Sequence, residues 1–244
     1  MSDSAGTPWA GRHFEPNANS ADDGSAPAAL TEALALFRTG KAGQADVVAA
    51  IRQSRLLVPL VARLDVAGTN DAGQTLDNSA ELAIVTVTGP DGRNVLPAFS
   101  SVDAMRRWNP NARPVPADAV RVALAAASEN TDLVVLDPSS DTEFVIRRPA
   151  LWAIGQSREW VPSFLDDGVL AAFEAIEDAR VTAVSLAAGD PDARLTGPEL
   201  LVTLTLVPGL DKLQLDDLLA TMQGFWASNP VIAERVDSLG VRLS

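Results

Sequence analysis

Two pairs of short apolar segments constrain the fold of this 244-residue chain more than any other feature. The pairs are residues 82–87 with 95–99 and residues 133–136 with 144–147. The first pair flanks Gly89-Pro90-Asp91-Gly92 and the second flanks residues 137–141, DPSSD. Because proline fixes φ and glycine allows positive φ, each pair predicts a β-hairpin. The stretch 117–128 between them predicts a helix, and the order hairpin, helix, hairpin favours an α+β fold over a doubly wound one.

The segment before the first hairpin predicts two helices and a strand. Apolar residues recur at helical spacing from Ala28 to a stop at Gly40, and again over residues 47–51. Residues 56–64, LLVPLVARL, form an apolar run that contains Pro59. Because proline cannot donate to a ladder, this run predicts an edge strand or a bulge.

The last third of the chain predicts a second, smaller unit, with Pro162 at the junction. Its predicted order is α-β-β-α-β, with helices at 164–178 and 212–226 and strands at 181–186, 200–206 and 236–243. We therefore expect a disordered polar leader (1–27) and two α+β domains (28–160 and 161–244). Each domain is expected to have a mixed or antiparallel sheet with flanking helices.

The side chains that most often perform catalysis are scarce in this sequence. It contains no cysteine, no tyrosine and a single histidine, His13, which lies in the predicted leader. Imidazole, thiolate and phenol supply most general bases, soft metal ligands and nucleophiles near neutral pH. Phosphate-binding glycine motifs and the nucleophile elbow are also absent from the sequence. We therefore expect a protein that is not an enzyme and that has no metal and no cofactor.

The formal net charge of −13 is concentrated near the end of the chain, where residues 166–244 carry 13 acidic and five basic side chains. A surface of this sign repels phosphate backbones, so neither nucleic acid nor membrane is the expected partner. Two of the 19 basic residues are lysines, which is typical of high-GC bacterial coding. No apolar run in the sequence has the length of a membrane span, and residues 1–25 contain no apolar stretch of the kind a signal peptide needs. The expected location is the cytoplasm.

One basic and aromatic cluster is the candidate binding surface. Arg106, Arg107 and Arg113 flank Trp108, after a capping-box-like helix start at Ser100 and Asp103. An aromatic plate beside guanidinium groups suits a carboxylate, a phosphate or an acidic peptide. The alternative is structural: Trp108 covers the end of the sheet while the arginines pair with acids or face water.

Other acidic clusters have simpler explanations. Asp166-Asp167 and Asp216-Asp217 are adjacent pairs whose side chains diverge on a helix, and the preference of aspartate for helix N-termini explains both. Residues 70–73 (NDAG) and 189–192 (GDPD) lack the spaced acids of a calcium loop, and turn formation explains them.

Three segments together resemble a known family. They are residues 81–116 (ELAIVTVTGPDGRNVLPAFSSVDAMRRWNPNARPVP), 56–65 (LLVPLVARLD) and 133–140 (LVVLDPSS). They are similar to the N-terminal domain of the SseB family, in particular its two-domain members from high-GC bacteria. The resemblance implies an α+β fold, offers no catalytic residues to transfer, and associates the family name with a serine-sensitivity phenotype.

Three functions are compatible with the sequence. The first is a non-catalytic protein-interaction module, whose partner is another protein. The second is a sensor of small carboxylate or phosphate metabolites, and the third is a carboxylate-dependent hydrolase with two facing acids. The partner and the oligomeric state stay open at this stage.

Overall fold

The computed structural model describes residues 22–63, 81–131 and 133–244. The helices are α1 (Ala28–Arg38), α2 (Gln44–Arg52), α3 (Val102–Trp108), α4 (Ala119–Ser128), α5 (Arg148–Gly155), α6 (Asp167–Glu174), α7 (Lys212–Ser228) and α8 (Pro230–Arg235). The strands are β1 (Arg55–Arg63), β2 (Glu81–Ile84), β3 (Val87–Thr88), β4 (Asn94–Ala98), β5 (Arg113–Asp118), β6 (Val134–Leu136), β7 (Phe144–Ile146), β8 (Val181–Ala188), β9 (Leu200–Leu206) and β10 (Leu239–Leu243). The fold is α+β, as the sequence predicts. His13, residues 70–73 and the predicted leader up to residue 21 lie outside the described residues.

Both predicted hairpins form, and the first one differs in detail. Strands β6 and β7 pair antiparallel along their whole length. In the first hairpin, β3 pairs with β4 around a turn at Gly92 with φ of 84°. Residues 82–84, predicted to belong to the same strand as β3, instead lie in β2 and pair with β1. The order β3-β4-β6-β7 includes a parallel pair, β4 with β6, so this sheet is mixed.

The expectation that the segment carrying Pro59 is an edge strand is wrong, because β1 is the middle strand in the order β2-β1-β5. Leu57 exchanges both backbone hydrogen bonds with Phe99, after β4, and so directs its N–H away from β5. Backbone groups alternate along a strand, so Pro59 also points away from β5. Its missing donor falls where β1 changes neighbours from Phe99 to β2, whose pairing begins at Leu60. The proline therefore costs no hydrogen bond to β5.

One edge of this sheet is β5, the segment predicted to be stiff and extended. Pro114 pairs opposite Pro59, and Pro116 pairs opposite Leu57. By the same alternation, both prolines turn their ring nitrogens to the outer edge. Prolines at such positions block the addition of another strand.

The first core lies between one face of these sheets and helices α1, α2, α4 and α5. Its most deeply buried side chains include Leu34, Ile51, Leu96 and Phe144. On the opposite face, Val95, Val135 and Val145 pack against Leu195, which lies in the loop between β8 and β9. Both faces of β4, β6 and β7 are therefore covered, which explains their continuous rather than alternating apolar sequences.

The C-terminal sheet has the order β10-β9-β8 and packs against α6, α7 and α8. The predicted α-β-β-α-β order is present, with α6 shorter than expected and α8 as an additional helix. Asp211 and Gln214 form the capping box that begins α7, and Asn229 caps α8. Strand β10 runs parallel to β9, so this sheet is also mixed.

A buried cluster of charges joins the four-stranded sheet β3-β4-β6-β7 to the C-terminal sheet β10-β9-β8. Arg147, at the end of β7, donates to Asp190 Oδ2 at 2.7 Å and to Asp237 Oδ2 at 3.1 Å. Arg93 binds both oxygens of Asp237 at 3.0 Å. Burial raises the pKa of the Asp190 carboxyl. Hydrogen bonds from Arg147 and Thr196 lower this pKa by a larger amount, so the net shift is downward.

The loop between β8 and β9 belongs to the predicted second domain, but it packs against residues of the predicted first domain. Ala193 belongs to the first core, and its carbonyl oxygen accepts from the Val145 N–H. Residues 22–27, assigned to the leader, also contact the folded body. Arg55 binds Asp22 and the Ser25 carbonyl, and the Val102 N–H donates to Gly24. The boundaries at 27 and 160 stay predictions.

None of the helices in the described ranges is both long and apolar enough to cross a membrane.

We expect Arg147→Met to lower the free energy of unfolding by about 3–5 kcal/mol, because the substitution leaves the buried Asp190 carboxylate without its cation and Asp237 with Arg93 alone. Urea denaturation at neutral pH measures this loss. The control is Arg121→Ala, whose side chain is 79% exposed and pairs with Asp118 at the surface. That change is expected to cost under about 1 kcal/mol. Equal losses in the two variants would show that the buried cluster does not hold the sheets together.

Candidate functional site

Helix α3, which carries the predicted basic and aromatic cluster, begins one residue later than the sequence indicated. Ser101, not Ser100, is the N-cap, and its side chain accepts from the Ala104 N–H. Ser100 instead donates its N–H and its hydroxyl to the carboxylate of Asp137, at 2.8 and 2.7 Å. The predicted capping box with Asp103 is therefore wrong, because the first serine is used in a contact between strands.

Asp137 is the buried foundation of a loop, residues 137–142, that faces α3. Its carboxylate also accepts from the Thr142 hydroxyl at 3.0 Å, and its side chain is nearly inaccessible to water. The loop backbone takes left-handed conformations at Asp137 (φ 46°) and Ser139 (φ 63°). Such conformations cost free energy and persist only where surrounding contacts enforce them. Hydrogen bonds from Ser100 and Thr142 supply that enforcement.

Parallel pairing explains why this loop meets α3. Ala98 at the end of β4 lies opposite Leu136 at the end of β6. The residues that follow two parallel neighbours leave the sheet at the same edge, so Ser100 and Asp137 become adjacent. A search for polar residues within two positions after each strand would have found this pair in the sequence.

A cleft of about 410 Å³ separates α3 from the loop. It is lined by Ala104, Arg107, Trp108 and all six residues of the loop. Trp108 is half-buried and rests against Phe99, with ring centroids 5.3 Å apart at an interplanar angle of 44°. The indole therefore belongs to a small apolar cluster while one part of it lines the cleft.

The structure brings together two of the four predicted residues. Arg107 and Trp108 line the cleft, whereas Arg106 and Arg113 do not. Arg106 lies on a different side of helix α3 from Arg107, and Arg113 begins the edge strand β5. All three arginines are exposed, and none makes a side-chain hydrogen bond or ion pair within the described residues. Arg107 is thus an exposed guanidinium at the wall of a formed cleft.

Most other arginines of the described chain hold the fold. Arg55, Arg93, Arg147 and Arg180 each bind at least one carboxylate. Arg38 and Arg148 bind backbone carbonyls of distant segments. The difference makes Arg107 available for a ligand, since no internal partner compensates its charge.

The other acidic clusters behave largely as structural elements. Asp166 caps α6 and pairs with Arg235, as a helix N-terminal role predicts. Asp216 and Asp217 lie further inside α7 than that role allows, so this explanation is wrong for them. Asp216 pairs with Lys212 one turn earlier, and Asp217 pairs with Arg180 from the turn before β8.

Asp190 confirms the interpretation of residues 189–192 as a turn. Its oxygens accept from the N–H groups of Arg194 and Leu195, from the Thr196 hydroxyl and from Arg147. Within the described ranges, no group of three or more acidic or histidine side chains is placed to hold a metal ion.

Glu199 is a buried acid that the sequence did not single out. Burial raises the pKa of its carboxyl, although the Asp237 N–H and the Ser163 hydroxyl donate to it. No local motif marks this residue, because its partners come from segments 36 and 38 positions away. Both carboxylate oxygens are occupied, which assigns Glu199 to packing between segments.

Comparison with known protein families identifies the class of this chain. Residues 30–153, just over half of the chain, match the SseB protein N-terminal domain. The chain belongs to the SseB family, as the resemblance of its segments indicated. The cleft, with α3 on one side and the loop 137–142 on the other, lies wholly inside the matched region. No curated protein and no solved structure matches the chain.

We expect Asp137→Ala to lower the free energy of unfolding by about 3 kcal/mol or more, because it removes the acceptor of three hydrogen bonds and a hydrogen bond to a charged group contributes about 1.5–3 kcal/mol. The substitution also places alanine at a positive φ. Thermal or urea denaturation measures the loss.

Asp141→Ala is the matched control within the same loop. Asp141 is exposed, and its side chain makes no hydrogen bond among the described residues. We expect a change within about 0.5 kcal/mol for this variant. A similarly small effect of Asp137→Ala would contradict the role of Asp137 as the foundation of the loop.

Proposed function

We propose that this SseB-family chain is a non-catalytic protein-interaction module that binds an acidic peptide segment in the cleft between α3 and the loop 137–142. The observation that carries the proposal is the exposed Arg107 guanidinium, which lines a formed cleft and has no carboxylate partner among the described residues. In this proposal the partner is another protein, neither nucleic acid nor membrane, and the location is the cytoplasm.

The chemistry of the cleft suits a carboxylate next to apolar atoms. A guanidinium binds a carboxylate through two parallel hydrogen bonds. Trp108 supplies an aromatic surface that its packing on Phe99 keeps in place. Ser139 is exposed at the rim, and its hydroxyl makes no hydrogen bond within the described part of the chain. An acidic side chain on Arg107 and a neighbouring apolar side chain on Trp108 would use these groups together.

The state of Asp137 supports binding over hydrolysis. A two-carboxylate hydrolase needs two acids that are free to exchange protons across a pocket. Asp137 and Asp141 both line the cleft, but the Asp137 carboxylate already accepts three hydrogen bonds from Ser100 and Thr142. Asp141 then has no free acidic counterpart among the residues that line this cleft.

The test compares two charge reversals in the full chain, each used to capture partners from a lysate of the source cells. Arg107→Glu is expected to reduce recovery of the specific partner about tenfold or more, since a charge-assisted hydrogen bond contributes about 1.5–3 kcal/mol. Quantitative mass spectrometry measures the recovery.

Arg113→Glu is the matched control, because Arg113 is equally exposed but lies outside the cleft. It is expected to leave recovery unchanged. Equal loss in both variants, or equal recovery from both, would argue against binding at the cleft.

The volume of the cleft favours a sensor of small anions as a second candidate. About 410 Å³ lies within the range of about 300–1,000 Å³ that small-molecule sites occupy. Arg107 would then bind a carboxylate or phosphate group of a metabolite, with the loop hydroxyls around it.

A thermal-shift screen of carboxylate and phosphate metabolites, with serine among them, tests this candidate. A ligand at 100 times its dissociation constant should stabilise the protein by about 2.7 kcal/mol, and Arg107→Glu should abolish that shift. A flat profile across the screen would remove the sensor and leave the peptide-binding proposal standing.

A further inference from the structure

Strand β8 presents an open backbone edge in the C-terminal sheet. Leu204 and Leu206 of β9 exchange backbone hydrogen bonds with Ser244, on the β10 side. Backbone groups alternate, so Thr203 and Thr205 bond to β8, where they pair with Ser185 and Ala183. Val184 and Leu186 therefore direct their N–H and C=O groups outward, and no hydrogen bond from the described residues reaches them.

Three other edge strands, β5, β7 and β10, are protected, and β8 is not. Strand β5 carries Pro114 and Pro116 on its outer side, and the Val145 N–H of β7 is bonded to Ala193. Strand β10 has five residues and carries the exposed Arg242. Strand β8 has eight residues, VTAVSLAA, without a proline or a charge. Proteins normally block edges of this kind, so a bare one indicates pairing with another strand.

The core-facing side chains of β8 are also incompletely buried along the open edge of the sheet. Val202 and Leu204 of β9 are fully buried, whereas the core-facing Val184 and Leu186 of β8 are half-buried. At one end of β8, residues Glu174–Val184 contribute to a groove that Ile176, Val181 and Val184 line with apolar atoms. A second strand would cover these groups.

An exposed leucine lies near the opposite end of β8. Leu165, in the 3-10 turn Ser163–Leu165, is 66% exposed. The turn is fixed there because the Ser163 hydroxyl binds Glu199, whose carbonyl oxygen accepts from Gly189 directly after β8. Groove and leucine thus occupy opposite ends of the same edge.

We propose that β8 pairs antiparallel with β8 of a second copy of this chain, around a two-fold axis near Ser185, to give a continuous six-stranded sheet. A two-fold interface is self-complementary, so the feature at one end of β8 meets the feature at the other end in the partner copy. Leu165 of each copy then faces the groove of the other.

Charged side chains lie at both ends of β8. Glu174 and Glu177 line the groove. Arg235 lies beside Leu165, where it pairs with Asp166 at 3.1 Å and is half-exposed. The two-fold operation brings the half-exposed Arg235 of one copy, together with its own partner Asp166, toward Glu174 and Glu177 of the other. The proposal is independent of the cleft at Arg107, which lies at the end of the sheet β3-β4-β6-β7.

The first measurement is the mass of the full chain in solution, by light scattering after size exclusion, across a dilution series. The wild-type protein is expected to reach twice the 25.6 kDa of one chain. Ser185→Lys is expected to hold the mass at that of one chain. Ser185 is exposed, so the monomer accepts the substitution, but at the two-fold axis the introduced ammonium groups oppose each other directly.

The matched control is Thr205→Lys, which adds the same charge to the same face of the sheet but on the middle strand. Thr205 is exposed, and this variant is expected to remain a dimer. Loss of the dimer in both variants would indicate packing through sheet faces and would overturn the proposal. A wild-type mass of one chain at every concentration would also overturn it.

Hydrogen exchange gives a second, local readout. The amides of Val184 and Leu186 point outward in a single chain and bond to the partner strand in the dimer. They should exchange slowly at high protein concentration and quickly in Ser185→Lys. Exchange of these two amides at one rate in both proteins would contradict edge pairing even if a dimer forms.

Discussion

The association of the four-stranded sheet with the C-terminal sheet depends on the guanidinium of Arg147. It is almost fully buried, and it binds Asp190 and Asp237 together with the carbonyl of Gly197 and the Ser238 hydroxyl. A buried cation is costly unless its hydrogen bonds are satisfied. Gly197 contributes because a Cβ there would lie 2.7 Å from the Gly189 carbonyl oxygen. The tight loop needs glycine to bring its carbonyl to the arginine.

Arginine has two separate uses in this molecule. Arg93, Arg147 and Arg180 compensate carboxylates of other segments, so the acidic last third is held partly by cations. Arg107 and its neighbours on α3 have no such partner within the described residues. Other exposed basic side chains, such as Arg113 and Arg242, also lack a partner among the described residues, but Arg107 lines the cleft beside Trp108. This contrast supports a role for Arg107 toward another molecule.

The sequence predicted elements well and their neighbours poorly. Local signals located the helices α1, α4 and α7 and the turn between β3 and β4, because capping, periodicity and turn residues act over a few positions. The loop 137–142 was expected only as a turn. Its meeting with α3 follows from the parallel pairing of β4 with β6, which joins segments nearly 40 residues apart. The cluster around Trp108 was therefore half correct: Arg107 and Trp108 share a cleft, and Arg106 and Arg113 do not.

Pro59 shows why strand neighbours are hard to predict from composition. A proline removes one donor on one side of a strand, so it excludes a partner at one position and not along the whole strand. In β1 that position falls where the strand changes partners, and β1 remains central. In β5 the same residue type occurs at two alternate positions with the same outward direction, and the entire edge is blocked. The direction of the missing donor, set by alternation along the strand, decides between these outcomes. By the same criterion the outward-facing donors of β8, at Val184 and Leu186, leave its edge able to accept a strand, unlike that of β5.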